Sequence, residues 1–572
     1  MAENQPFLGP RDRIAETDVI IIGGGATGAG LARDCARRGF KCVLFERGDL
    51  ATGATGRNHG LLHSGARYAV TDKISASECI QENQILRKIA RHCVEESDGL
   101  FITLPEDDLD YQKNFLAACA EAGIPAQALD PEEAKRLEPA VNPSLIGAVR
   151  VPDGVVDPFR LTVANALDAV ERGARCHTYH EVVGLIRRND AIIGVKAFDK
   201  LTGDQYEVRA KVVVNAAGIW GGFIAEMAGV ELKMFPTRGS LLIMGHRLTQ
   251  MVINRCRKPA DADILVPGDT VCLIGTTSIP IKFSDLDTTR VSHKEVDILI
   301  REGSLLCPSL AETRKIRCYA GSRPLIADES DLTGRAISRH IVLLDHEKRD
   351  GLKGLITISG GKLITYRLMA EMTANLIGEK LGSKATCDTA QTPLPGSREA
   401  PEKTLRKIAP LPLTQGAALI SRHGDMAPGI SAFDAGENSL ACECELVSVG
   451  EIQHAVNSLA VHNLTDLRRR TRVGMGPCQG ELCVGRATGL LAASGAFPPE
   501  EAASELASFL EERWKGIYPL AWGETLRESE FIMWLYQCVC GLKESDASQK
   551  TTPPDPLKAA PDLGAADKET QA

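Results

Sequence analysis

What the chain lacks narrows the field first. No run approaches the roughly 18 uninterrupted apolar residues of a membrane-spanning helix, so the sequence predicts no segment of its own inside a bilayer. The opening stretch, MAENQPFLGPRDRIAETD, has no apolar core of signal-peptide length. There is no basic surplus. The formal net charge is −9, which argues against general nucleic-acid binding, because that requires a basic face. A small anion can still be held by a local basic pocket in an acidic protein. The first 385 residues contain no HExxH motif and no carboxylate cluster at metal-ligand spacing. Nothing marks an oxidising compartment. Isolated cysteines such as Cys35, Cys93, Cys119 and Cys256 therefore read as reduced core thiols.

What is present is ordinary in bulk and specific in detail. The 572 residues are too many for one core and predict about three units. Apolar content of 44% and charged content of 25% fit a globular protein. Near the start, DVIIIGGGATGAGLARDCARRGFKCVLFE predicts a buried strand at Val19–Ile22, a glycine turn, a helix and a second strand at Lys41–Phe45. Gly23 makes the turn, Gly25 lets backbone amides approach a pyrophosphate, and Gly28 lets the helix pack on the strand. Glu46 follows where an acid grips a ribose hydroxyl. This is a dinucleotide-binding unit of the Rossmann type, so the fold class is α/β.

Three further segments choose among dinucleotides. Residues 46–68, ERGDLATGATGRNHGLLHSGARY, are too rich in glycine and hydroxyls for a crossover helix and suit a loop along an extended cofactor. VVVNAAGIW (212–220) is a strand ending in small residues, and TISGGKLITYR (357–367) offers another glycine turn. Thr52, Thr55, Gly218, Gly361 and Leu363 are the candidate contacts within these segments. Segments so far apart suit FAD wrapped in one large domain better than NAD in a compact one.

The motifs GGGATGAGLARD, LLHSGARY, DGVVDPFRL, GTTS, GSRPL and GGKLITYR occur in one order over about residues 17–380. In this the chain resembles the FAD-dependent glycerol-3-phosphate dehydrogenases, within the glycine/D-amino-acid oxidase-like flavoproteins. The resemblance implies an FAD-dependent oxidoreductase domain over 17–383. An antiparallel substrate cap, drawn from about residues 70–350, would be interleaved with the FAD-binding part. AIIGVKAFD, DQYEVRAKVVV and DTVCLIGTTS read as strands compatible with that cap. The resemblance also makes Arg67, Arg323 and Lys362 the substrate-facing cations, which suits a phosphate dianion because arginine donates paired hydrogen bonds. His63 and Tyr68 flank Arg67, and a neutral imidazole can take a hydroxyl proton near pH 7. Aerobic members carry a histidine where this chain has Leu241, so weight falls on His63, an arginine or a water as base.

Beyond the flavin domain, 384–435 reads as a Pro/Gly/Ala-rich connector with one short helix. Residues 436–492 then hold ACECE and GPCQGELC, a Cys442-x-Cys444 pair and a Cys478-x4-Cys483 pair. Between them, Ser448-x-x-Glu451 is a capping box opening a helix with Ile452, Val456 and Leu459 on one stripe. A second helix follows at NLTDLRRRTR, and a third after Cys483. A metal crosslink would supply the stability that so short a module lacks. The layout resembles the bacterioferritin-associated-ferredoxin-like [2Fe-2S] domain, although its second pair is C-x4-C where small members have C-x2-C. Zinc or another metal on the same four thiolates, and four buried thiols without a metal, are the alternatives. LRRRTR (467–472) reads as a solvated helix face or a screen for cluster charge.

Residues 493–543 predict a C-terminal helical segment in which Cys538 and Cys540 are structural. The stretch 544–572 is polar and Pro/Ala-rich and reads as a disordered tail, as 1–16 reads as an N-terminal tail. The resemblance implies partner B and membrane-bound C-type subunits of the same complex, with the quinone pool as electron sink. It places the chain as a peripheral protein at the cytoplasmic face of the inner membrane. Two rival readings are a flavin amine or amino-acid dehydrogenase and a non-catalytic electron-transfer subunit. The intact HSGARY, GSRPL and GGKL set argues against the second.

Overall fold

The structure is a computed structural model and describes residues 15–326, 340–408, 411–431 and 436–542. Almost all of the expected N-terminal tail and the whole expected tail at 544–572 lie outside the described residues.

The first sheet is built on strand β1 (Glu16–Ile22), whose last four residues are all buried. Helix α1 (Ala26–Arg37) and strand β2 (Cys42–Phe45) follow at once. β1 lies between β2 and strand β3 (Gln205–Asn215), parallel to both. The strands Arg175–His177 and β6 (Leu355–Gly360) extend the parallel set on either side. A parallel sheet must be covered on its faces. Here α1 packs beneath it beside the helices Pro158–Glu171 and α2 (Tyr366–Leu381).

AIIGVKAFD and DQYEVRAKVVV do form an antiparallel hairpin, over Ala191–Asp199 and β3, but it belongs to this flavin sheet and not to the cap. The reason is the length of β3. Its first half pairs with Ala191–Asp199, while its second half runs between β1 and β6.

The cap is a nine-stranded, largely antiparallel sheet. Its strands come from 99–151 and 234–326, so they alternate in sequence with those of the flavin sheet. At its edge β4 (Met234–Met244) pairs along its whole length with β5 (Lys315–Ile326), placing Arg323 opposite Thr237. DTVCLIGTTS supplies a cap strand, Val271–Gly275, as expected. Leu241 is fully buried on β4 and pairs with Tyr319, so this position is core.

The connector holds more helix than its composition promised: Pro401–Leu405, the eleven-residue α3 (Leu413–His423) and Ala427–Ser431. The cysteine module has α4 (Val449–Ser458), α5 (Leu464–Thr471) and α6 (Val484–Ala493). Only half of the expected capping box forms. Ser448 accepts the Glu451 backbone N–H at 3.1 Å. The Glu451 carboxylate instead takes Arg422 at 2.5 and 2.8 Å and His423 at 2.8 Å, which ties the connector to the module. One continuous apolar core runs from Val19, Leu31 and Val214 of the flavin domain to Val447, Ile452 and Leu467 of the module. Two further helices, α7 (Ala502–Ile517) and α8 (Gly523–Trp534), follow the module. Cys538 and Cys540 beyond them are exposed.

Candidate functional site

The dinucleotide loop has the geometry that its glycines imply. Gly23 sits at φ +113°, and a Cβ there would lie 2.6 Å from the Ala216 carbonyl oxygen. A Cβ on Gly28 would lie 1.9 Å from the Gly23 oxygen, so this glycine is what lets α1 close on the strand end. At Gly25 a Cβ would lie 3.0 Å from Thr55 Oγ1. That hydroxyl accepts the Ala26 N–H at 3.0 Å and braces the turn from the following loop. No side chain of residue Gly25 can cap α1, and no acid stands in the first helical turn. The positive helix end is therefore left for an anionic ligand.

Glu46 is bound by the loop itself. It accepts Gly24 N–H at 2.7 Å on one oxygen and Gly48 N–H at 2.9 Å on the other. Each oxygen keeps a second acceptor direction for a ribose hydroxyl. Burial pushes the Glu46 carboxyl up, and the two amide bonds only partly oppose it. Gly218 stands at φ +58° with nothing within 4 Å of where its Cβ would be, an open cradle at the end of β3. Gly360 and Gly361, at φ +75° and +64°, make the third turn, ahead of the Leu363–Thr365 helical turn. These residues fit FAD: a helix end with no N-cap side chain and no acid in its first turn, an acid at the ribose position and small residues at three strand ends.

The substrate candidates fall into two neighbouring groups. In the first, the Lys362 ammonium lies 4.4 Å from the centre of the Tyr68 ring, and the His63 ring lies 5.5 Å from that same ring. His63 is 9% exposed. In the second, Arg67 donates to the Ala260 carbonyl at 3.0 Å and pairs with Asp263 at 3.2 Å. Arg323 donates to Thr276 Oγ1 at 2.6 Å and to the Thr277 carbonyl at 2.8 Å. Ala262 N–H donates to the Thr276 carbonyl at 3.0 Å, so the partners of the two arginines are joined.

Sequence reading missed the acids around these cations. Asp263 holds Arg67, and Asp261 lies in the field of Arg323, with its carboxyl pushed up by burial. Glu78 lies in the field of Lys362 and is likewise pushed up by burial. GTTS was the one available signal, since its first threonine anchors Arg323.

The four expected thiols do converge. Cys442 and Cys444 are 3.8 Å apart at sulfur, and Cys444 and Cys478 are also 3.8 Å apart. Cys483 closes the ring by contacts to Cys442 and Cys478. Neighbouring thiols donate to Cys442 and pull its pKa down; the same cause lowers that of Cys478. The partners Cys444 and Cys483 are raised by that same bonding. Among the described residues, no group of three or more His, Cys, Asp or Glu side chains is disposed around a point where an ion would sit. The thiols form a ring of mutual contacts. The all-sulfur donor set fits iron–sulfur chemistry. Cys442 and Cys483 are fully buried, whereas Leu482, next to Cys483, is 67% exposed.

LRRRTR is not a solvated face. Arg470 pairs with buried Asp49 of the flavin loop at 2.5 Å, and Arg469 reaches the same carboxylate at 2.9 Å. Arg472 pairs with Glu445 at 2.8 Å and with Asp269 of the cap at 3.1 Å. The Tyr179 hydroxyl donates to Asp466 at 2.7 Å. The basic run is a set of clamps between module, flavin domain and cap.

Residues 18–367 match the FAD dependent oxidoreductase family, and 440–493 match the BFD-like [2Fe-2S] binding domain. The anaerobic glycerol-3-phosphate dehydrogenase A-subunit of Escherichia coli K12 is 60% identical over 528 residues, which is 92% of this chain and 97% of the relative. The corresponding A1-subunit of Haloferax volcanii is 41% identical over 93% of this chain and 92% of its own. The crystal structure of a Bacillus halodurans glycerol-3-phosphate dehydrogenase with FAD superposes with a TM-score of 0.69 at 23% identity, over 91% of this chain and 99% of that one, a likeness of fold. The chain belongs to the family of anaerobic glycerol-3-phosphate dehydrogenase A-subunits, FAD dependent oxidoreductases with a BFD-like [2Fe-2S] binding domain.

Proposed function

We propose that the chain oxidises sn-glycerol 3-phosphate to dihydroxyacetone phosphate as an FAD-dependent dehydrogenase. In this reading the electrons leave through the [2Fe-2S] module to B- and C-type partners and the quinone pool. Bound FAD supplies a hydride acceptor and the bound cluster a one-electron centre. Arg67, Arg323 and Lys362 hold the substrate phosphate by charge-assisted hydrogen bonds, each worth about 1.5–3 kcal/mol. An imidazole nitrogen of His63 takes the carbinol proton, and Tyr68 fixes both the Lys362 ammonium and the His63 ring. Gly23, Gly25, Gly28, Glu46, Thr52, Thr55, Gly218, Gly361 and Leu363 seat the flavin, and Cys442, Cys444, Cys478 and Cys483 seat the cluster.

The observation that carries the relay is the buried clamp of Asp49 on Arg470 and Arg469, which fixes the thiolate module against the flavin loop. A flavoprotein that used oxygen would need no such second centre. No described helix is long and apolar enough to cross a membrane, so delivery to quinone falls to the partners, at the cytoplasmic face of the inner membrane. Anaerobic titration of the FAD-loaded chain with glycerol 3-phosphate tests the chemistry. Stoichiometric bleaching of the flavin is expected. Bleaching by amino acids in its place would move the chain to amine oxidation, and bleaching by neither would leave a protein of electron transfer alone.

A further inference from the structure

A cavity of about 1860 Å³ opens between the flavin loop, the cap edge and the C-terminal helices. Of the candidate cofactor, substrate and thiolate residues, Thr52 alone lines it. Two arginines from packed neighbours do: Arg317 on β5 and Arg513 on α7. Nε and Nη1 of both are buried without a hydrogen-bond partner. Arg513 is 5% exposed. Arg57 of the flavin loop borders the same cavity.

The nearby acids do not answer these cations. Glu512, whose field reaches Arg317 and Arg57, accepts its hydrogen bond from Lys515 at 2.5 Å. Glu528, whose field reaches Arg513, is held by Arg314 at 2.5 Å. Burial pulls the guanidinium pKa of both Arg317 and Arg513 below the usual range, and the field of the nearby acids only partly opposes it. Buried donors with no acceptor are costly and rare in folded proteins. Two such guanidinium groups lining one cavity offer paired N–H donors of the geometry that oxyanions accept.

We propose that this cavity binds a phosphate-class oxyanion between Arg317 and Arg513, with Arg57 as a third cation, at a site separate from the substrate cations. The anion supplies the acceptors that Glu512 and Glu528 do not, and it ties α7 to the cap edge. Two sources share this chemistry: free inorganic phosphate and a small phosphomonoester such as the substrate or product.

The test uses the full chain carrying flavin and cluster, with the flavin reduced beforehand so that no turnover occurs. Inorganic phosphate and glycerol 3-phosphate are titrated separately by calorimetry, at fixed ionic strength, into the parent chain, Arg317→Gln and Arg513→Gln. One binding class is expected to weaken about tenfold or more in either variant, because each removes a charge-assisted donor set, while flavin content stays constant. Weakening for both ligands makes the site a general phosphate site. Weakening for the ester alone makes it a second substrate or product site. Identical isotherms in parent and variants would overturn the proposal, as would the absence of any phosphate binding outside the class lost in Arg323→Ala. If Arg513→Gln does not fold, Arg513→Lys keeps the charge but loses the fork, and the same weakening is expected.

Discussion

Arg470 of the cysteine module holds Asp49 of the flavin loop by two hydrogen bonds, at 2.5 and 3.0 Å, with both side chains buried. Burial alone would raise the Asp49 carboxyl. Arg470 and Arg469 outweigh that and hold it below the usual carboxylate range. Removing one partner of a buried pair leaves a stranded charge and costs about 3–5 kcal/mol. Arg470→Ala is expected toward the low end, because Arg469 remains on Asp49. The module should loosen while the flavin sheet stays intact. Limited proteolysis should cut sooner between 432 and 500, with flavin content unchanged. Unaltered proteolysis would mean that the apolar core alone holds the module.

A branched side chain at Gly25 would stand where the flavin pyrophosphate is expected to lie. Its Cβ would already lie 3.0 Å from Thr55 Oγ1, and two further methyls would enter the space in front of α1. Gly25→Val should purify without flavin or not fold, as read by flavin absorbance per chain. Full occupancy would remove this loop from the FAD site.

Much of this was legible because the signal was local. The strand, glycine turn and helix at 19–37 lie within one stretch, and so do the thiol pairs. The hairpin at 191–215 was legible as a hairpin but not as part of the flavin sheet. Its placement depends on β1 and β6, nearly 200 residues before β3 and about 140 after it. LRRRTR misled for the same reason. A basic run is solvated unless acids meet it, and its partners Asp49 and Asp269 lie in other domains. Glu451 fitted a capping box, yet Arg422 offers a charged partner that its own N-terminal backbone cannot match.

The substrate charge prediction rests on Arg323. Its guanidinium is already positioned by Thr276 and Thr277, so removing it should cost binding and not folding. Arg323→Ala is expected to lose about 10–100-fold in kcat/KM on glycerol 3-phosphate, the worth of one charge-assisted contact. On glycerol, which has no phosphate, the loss should be small. Equal losses on both substrates would place Arg323 at the carbinol or in the scaffold.

Acid should release the connector from the module. Burial pushes the Glu451 carboxyl up, but Arg422 and His423 reverse this and hold it at about 2, against an ordinary value of 4.5. A carboxyl depressed in the folded state stabilises fully above its unfolded value and loses that contribution as pH falls. The window therefore runs from about 4.5 down to about 2. Unfolding of the module, followed by proteolysis after brief acid exposure, should steepen across that window. Glu451→Gln should be less stable at neutral pH and flatter below 4.5. Parallel curves for the two would show that other groups govern the acid transition.

The last prediction separates the two redox centres. Cys444 lies between Cys442 and Cys478 in the thiol ring, at 3.8 Å from each. Replacing it with serine takes away a soft ligand where a [2Fe-2S] cluster uses four thiolates. Protein prepared without oxygen should carry about two irons and two sulfides per chain in the parent and little of either in Cys444→Ser. Flavin should remain in the variant, since its loop, acid and glycine turns all lie before residue 370. Flavin reduction by glycerol 3-phosphate should survive, while delivery to a one-electron acceptor slows. Zinc in the parent would make the module a structural clip. Loss of flavin reduction in the variant would mean that the continuous core from Val19 to Leu467 transmits damage in the module to the flavin site, and the two centres would then have to be treated as one folding unit.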